Sequence, residues 1–129
     1  MTRTTSAPKA KALAISAADY FAAKLAYEMT PYSLNAALEK KVDLFVLDVR
    51  STEDFAKGHI PTATNIPLLD LPGKLGTLPK NKTIIAYCGN ITCSLAPKAA
   101  LVLAEKGFTV KELFGGFATY AEKGFPVQK

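Results

Sequence analysis

The chain has 129 residues, 49% of them hydrophobic, and its 16 Lys and Arg against 11 Asp and Glu give a formal net charge of +5. That length and apolar content suit one compact domain with a real core and exclude a wholly disordered chain. No apolar run reaches the roughly 18 residues of a membrane-spanning helix, and two cysteines are too few for a disulfide-rich secreted scaffold.

The first eleven residues, with Arg3, Lys9 and Lys11, are polar and basic and read as a flexible tail, with the folded domain running over 12–129. Arg3 and Arg50 are the only arginines, and the lysines are scattered as far as Lys129. A nucleic-acid surface gathers its cations and favours Arg, so scattered lysines predict a solvated surface with no nucleic-acid or membrane partner. The Ala-rich run Ala12–Ala18 enters Asp19 directly and is a poor secretion signal; a cytoplasmic protein with reduced thiols is expected.

Ser16 with Asp19 three residues on predicts a capped helical extension over about 16–29, with Phe21, Leu25 and Met29 on one face. Thr30-Pro31 breaks it, and Ser33 caps a second short helix that turns Leu34, Ala37 and Leu38 inward. Val42–Val49 carries the continuous run LFVL, the pattern of a strand buried on both faces; Thr83–Cys88 is a second such run, and Val110–Phe114 a weaker third. Pro67–Pro79 reads as a connection with room for one helical turn. A helix follows Cys88, with Leu95, Ala99, Val102 and Leu103 on one face, Pro97 in its first turn and Gly107 beyond its end. A last helix runs over about Phe117–Lys123 and stops at Gly124. Strands alternating with helices predict an α/β domain with a parallel sheet.

In open α/β sheets ligands bind beyond the carboxyl ends of the strands. Asp48 and Arg50 end one strand there, and Arg50 is within reach of Glu53 or Asp54. Cys88 ends another, and the loop through Gly89, Asn90, Ile91, Thr92, Cys93 and Ser94 leads into a helix. Unpaired N–H groups at a helix start stabilise an anion, which predicts a lowered Cys88 pKa. A buried strand-end cysteine with no chemistry is an equal reading of position alone.

Four stretches together resemble the single-domain rhodanese-like proteins of the sulfurtransferase superfamily. They are Leu47-Asp48-Val49-Arg50; Phe55-Ala56-Lys57-Gly58-His59-Ile60-Pro61, continuing through Ala63, Asn65, Ile66 and Pro67; Tyr87-Cys88 with its loop; and Leu113-Phe114-Gly115-Gly116-Phe117. They cover about 44–127 in the family's order. The resemblance implies a five-stranded parallel sheet with helices on both faces and Cys88 as the nucleophile. Cys88 would take a sulfane sulfur from a small donor as a persulfide and pass it to a thiol, free or on a protein. The N–H groups of the Gly89–Ser94 loop would cradle it. Asp48, Arg50 and His59 would act as scaffold, and neither an organic cofactor nor a metal is implied.

Three positions depart from the family pattern. Cys93 stands where single-domain members often carry Arg or Lys, which puts ordinary thiosulfate activity in doubt. Thr62 replaces the Gly after Ile-Pro, a matter of backbone shape, and Phe117 replaces the closing Trp. The C-x4-C pair also suggests Cys93 as a resolving thiol that closes a disulfide with Cys88, against a reading in which Cys93 only packs. The alternatives are therefore a thiol-redox protein or sensor and a non-catalytic binding module. A Cys-dependent phosphatase would need C-x5-R, and Ser94 occupies that place; zinc would have only Cys88, Cys93 and His59, and the resemblance commits His59 elsewhere in the motif.

Overall fold

The computed structural model describes residues 14–129. The predicted tail over 1–11 and the start of the domain at 12 and 13 lie outside the described residues. The first helix, α1, is Ala17–Tyr27, and the Ser16 hydroxyl accepts a 3.0 Å bond from the Asp19 N–H, the predicted cap. It ends two residues short of the predicted boundary. Glu28–Met29 forms a short strand, β1, whose pairing with the last strand overrides the helical pattern. The predicted inward face is also corrected. No residue of α1 is buried, and Phe21 and Leu25 are 57% and 83% exposed, because α1 lies beside the sheet edge.

Thr30 accepts from the Ser33 N–H at 3.1 Å and caps α2, Pro31–Glu39, with Pro31 in the first turn. Thr30-Pro31 thus starts the helix, and Ser33 is not its cap; proline's missing N–H costs nothing at that place. Leu34 and Ala37 are buried as expected.

The remaining elements are β2 (Leu44–Asp48), α3 (Thr52–Lys57), β3 (Thr64–Asn65), a 3₁₀ segment (Leu68–Thr77), β4 (Thr83–Tyr87), α4 (Leu95–Glu105), β5 (Val110–Leu113) and α5 (Gly116–Glu122). The sheet has five parallel strands in the order β1-β5-β4-β2-β3. The two-residue strands at its edges escaped the sequence reading because they are too short for any periodicity.

Alternation along the central strands divides the core. Leu47, Ile84, Ala86 and Cys88 pack with Ala96, Ala99 and Leu103 of α4 and with Leu71 of the 3₁₀ segment. Val46, Ile85, Tyr87 and Leu113 pack on the other face with Leu34, Ile60 and Tyr120. Helices therefore cover both faces, and the continuous apolar runs are strands buried on both sides. Register sets Asp48 beside Tyr87, so the carboxyl ends of β2 and β4 open at one level. No helix among the described residues is long and apolar enough to cross a membrane.

Candidate active site

Cys88 follows β4 directly, on the α4 side of the sheet, and is 2% exposed. The Ala96 N–H, in the first turn of α4, donates to its sulfur at 3.4 Å. Its own thiol lies 3.6 Å from the Cys93 carbonyl oxygen, as donor. Cys93 is half-buried, and both cysteines are free thiols.

The loop between them is tighter than an open cradle. Asn90 Oδ1 accepts from the Thr92 N–H at 3.0 Å and from the Thr92 hydroxyl at 2.7 Å. The Asn90 carbonyl accepts the Cys93 N–H at 3.0 Å. The Thr92 and Cys93 amides are thus committed inside the loop. Those turned toward sulfur are Gly89, Leu95 and Ala96. Ile91 and Ser94 are exposed, and Ser94 makes no side-chain cap bond.

The turn after β5 clamps this loop from the other side. The Phe117 and Ala118 N–H groups, at the start of α5, donate to the carbonyls of Cys88 and Gly89, each at 2.8 Å. Gly116 has φ +66°, and a Cβ there would stand 2.6 Å from the Cys88 oxygen and 3.0 Å from the Asn90 nitrogen. Only glycine allows so close an approach.

Asp48 and Arg50 pair with each other, His59 bonds back to α3, and none of the three makes a hydrogen bond to the Cys88 sulfur. The Arg50 guanidinium forks onto both Asp48 carboxylate oxygens, with Nη2 at 2.7 Å, and donates to the Gly58 carbonyl at 2.7 Å. Its carbon lies 4.4 Å from the Phe117 ring centroid. Arg50 therefore pairs with Asp48 and not with Glu53 or Asp54. The strand end holds Asp48 fully buried beside the guanidinium, whereas Glu53 and Asp54 are exposed in the first turn of α3. His59 Nδ1 donates to the Phe55 carbonyl at 2.9 Å, and its ring stacks on Phe55. The Tyr87 hydroxyl accepts from the Ile60 N–H at 3.1 Å. Burial, then Asp48, push the Tyr87 phenol far above its ordinary value.

The thiol acidities invert the expectation. Burial pushes Cys88 up to about 11, and the Cys93 side chain adds to this against the Ala96 N–H. Burial acts on Cys93 in the same sense, but hydrogen bonding with Cys88 and the Leu95 and Gly89 N–H groups outweighs it and lowers its pKa. The helix start shares its donors between two sulfurs, and the deeper one loses more hydration. The two thiols therefore titrate as a pair, with the Cys88 side shifted up and the Cys93 side down.

The rhodanese-like domain family model matches residues 30–123. This chain belongs to that family. A sulfurtransferase of Allochromatium vinosum is 29% identical over 101 residues, 78% of this chain and 92% of that protein. An HTH-type transcriptional regulator of Mycobacterium tuberculosis is 36% identical over 87 residues, 67% of this chain but only 38% of the regulator's length. The crystal structure of the BH2092 protein from Bacillus halodurans is 36% identical, with a TM-score of 0.80 over 87% of this chain and 83% of that one.

In this rhodanese-like domain Cys88 opens onto a cavity of about 290 Å³, lined also by Lys24, Glu28, Asn90, Glu112 and Phe114. Lys24, Glu28 and Glu112 were missed in the sequence. The Lys24–Glu28 spacing of four was a visible helical pair, but nothing in the pattern placed the extension over the cysteine. A larger groove of about 610 Å³ beside Pro97, Leu101 and Phe108 contains neither thiol. Thr62 sits at φ +72°, in the left-handed region that glycine fills without strain.

Proposed function

We propose that this rhodanese-like domain is a sulfurtransferase in which Cys88 carries the sulfane sulfur. The reading rests on one observation above all: a thiol at the carboxyl end of a central parallel strand, with an N–H of the next helix donating to its sulfur. The resting thiol is a weak nucleophile at its raised pKa. It reacts through its thiolate, which the Ala96 N–H stabilises. The Cys88 thiolate then attacks the outer sulfur of a donor, whose S–S bond breaks with the electron pair leaving on the donor. The helix-start N–H groups steady the sulfur anion. A thiol acceptor removes the outer sulfur in the reverse sense and restores Cys88. No fixed cation stands at position 93 to hold a dianionic donor such as thiosulfate.

A second reading follows from two free thiols on one tight loop, with the Cys88 thiol against the Cys93 carbonyl: peroxide, as a two-electron oxidant, would convert the pair to a Cys88–Cys93 disulfide with loss of two hydrogens. Mass spectrometry separates the readings. Reduced protein treated with polysulfide gains one sulfur, mapped to the Cys88 peptide; Cys88→Ser abolishes the gain and Cys93→Ser keeps it. A gain that survives Cys88→Ser overturns the assignment. Loss of two hydrogens without any sulfur gain selects the redox reading.

A further inference from the structure

The charged residues that line the Cys88 cavity are two carboxylates, Glu28 and Glu112, and one ammonium, Lys24. In the parallel register Ala86 lies opposite Glu112, and Glu112 opposite Glu28. Ala86 and Cys88 share one face of β4, so Glu112 and Glu28 stand on that same face. One strand across and two residues back puts the Glu112 backbone roughly 8 Å from that of Cys88. Both side chains line the same cavity.

Lys24 is the sole cation among the cavity-lining residues, and it is engaged: its Nζ lies 3.0 Å from each Glu28 carboxylate oxygen. It also sits 5.6 Å from the Phe114 ring centroid. Lys24 is thereby committed to Glu28. The Glu112 carboxylate has no hydrogen-bond or ion-pair partner among the described residues, and the residue is half-buried. Burial, then the Glu28 charge, raise its carboxyl pKa against Lys24, as for a carboxylate short of a counter-ion. With the loop cation absent at position 93, nothing else offsets it.

We propose that Glu112 makes this cavity select sulfur acceptors that carry an ammonium beside the thiol, the aminothiol class, over anionic thiols. The inference rests on the sulfurtransferase reading for its reaction and on the cavity charge for its selectivity. The acceptor thiolate attacks the outer sulfur of Cys88–S–SH. The new S–S bond forms as the old one breaks, and the electron pair of the old bond stays on the Cys88 sulfur. That sulfur takes the hydrogen of the transferred group, leaving Cys88–SH and an acceptor persulfide anion. No oxidant is required. An ammonium two carbons from the attacking sulfur enters the cavity that Glu112 lines and is drawn to it, while a carboxylate there meets like charge.

The test loads the protein with polysulfide, verifies the added sulfur by mass, and follows its loss to cysteamine, 2-mercaptoethanol and 3-mercaptopropionate. Intrinsic thiol reactivity cancels when the cysteamine-to-mercaptopropionate rate ratio is compared between proteins. Glu112→Gln lowers that ratio about tenfold, as expected for a unit charge at several ångströms in a half-solvated site. Glu105→Gln, an exposed carboxylate at the far end of α4, leaves it unchanged. High salt shrinks the wild-type ratio. A second arm needs no sulfur transfer: alkylation of the thiols by 2-bromoethylamine against bromoacetate, with the same expected drop in Glu112→Gln. A ratio that Glu112→Gln moves by less than about twofold in both arms overturns the selectivity. Failure of polysulfide to load Cys88, with the alkylation preference intact, refutes the sulfur-carrier reading and keeps the charge preference.

Discussion

Gly116 offers the sharpest test of how the site is held. Alanine there meets two separable costs. The first is the left-handed backbone, φ +66°, worth about 1–2 kcal/mol for an L-residue. The second is contact: the new Cβ would stand 2.6 Å from the Cys88 oxygen and 3.0 Å from the Gly89 carbonyl carbon, both backbone atoms that cannot rotate aside. Forcing such groups apart costs about 1–3 kcal/mol more. Gly124 separates the two costs, because it has φ +82° and nothing within 4 Å of a Cβ. Gly124→Ala should lose the backbone part alone. In urea unfolding, Gly116→Ala should fall below Gly124→Ala by about 2 kcal/mol, a midpoint difference of about 1 M. Gly116→Ala should also lose sulfur loading at Cys88, since the displaced backbone is that of the thiol itself, while Gly124→Ala loads normally. Equal destabilisation by the two substitutions would refute the clamp.

Thr62→Gly should stabilise the protein by about 0.5–1 kcal/mol in the same assay, by relieving a β-branched residue at φ +72°. Arg50→Met should cost about 3–5 kcal/mol, because Asp48 is fully buried and loses its bidentate partner. Burial raises the Cys88 pKa to about 11, so the folded state holds its proton more tightly than the unfolded chain. Stability from this group is complete below the unfolded thiol pKa and is lost as pH rises through the folded one, so Cys88→Ala should flatten the decline above about pH 9. Cys93→Arg should raise thiosulfate turnover by less than about threefold alone, and by at least about tenfold when combined with Glu112→Gln; equal gains with and without Glu112 would refute their pairing.

Much of this arrangement was legible in the chain because it rests on strong local patterns. LFVL and TIIAYC are continuous apolar runs, and such runs have few homes other than a central parallel strand. Cys88, placed at the end of one run and followed by a helix pattern, could be located without coordinates. The exposed face of α1 could not: apolar periodicity announces a face, and only tertiary structure says whether anything covers it. The Thr30 cap was hidden by the habit of reading Pro as a helix end, although Pro31 suits a first turn. The thiol order was out of reach for a different reason. It depends on which sulfur lies deeper and which amide points at each, and Asn90 had already taken two of the loop amides expected to face sulfur.

The absence of a cation at position 93 and the presence of Glu112 form one electrostatic condition. Glu112 acts on Cys93 through space and opposes its ionisation, although the Cys88 and backbone hydrogen bonds still lower the Cys93 pKa overall. A guanidinium placed at 93 would sit within that same field. Its strongest neighbour would be the half-buried carboxylate, because a charge-assisted pair in a site of reduced dielectric outweighs attraction to a mobile anion in solvent. The cation would then neutralise the cavity without making it positive. A dianionic donor needs the positive potential, whereas an ammonium-bearing thiol is served by the present negative one. A loop with Cys at 93 is thus matched to the acid on β5: the thiol neither competes for Glu112 nor screens it, and the carboxylate stays available to an incoming cation.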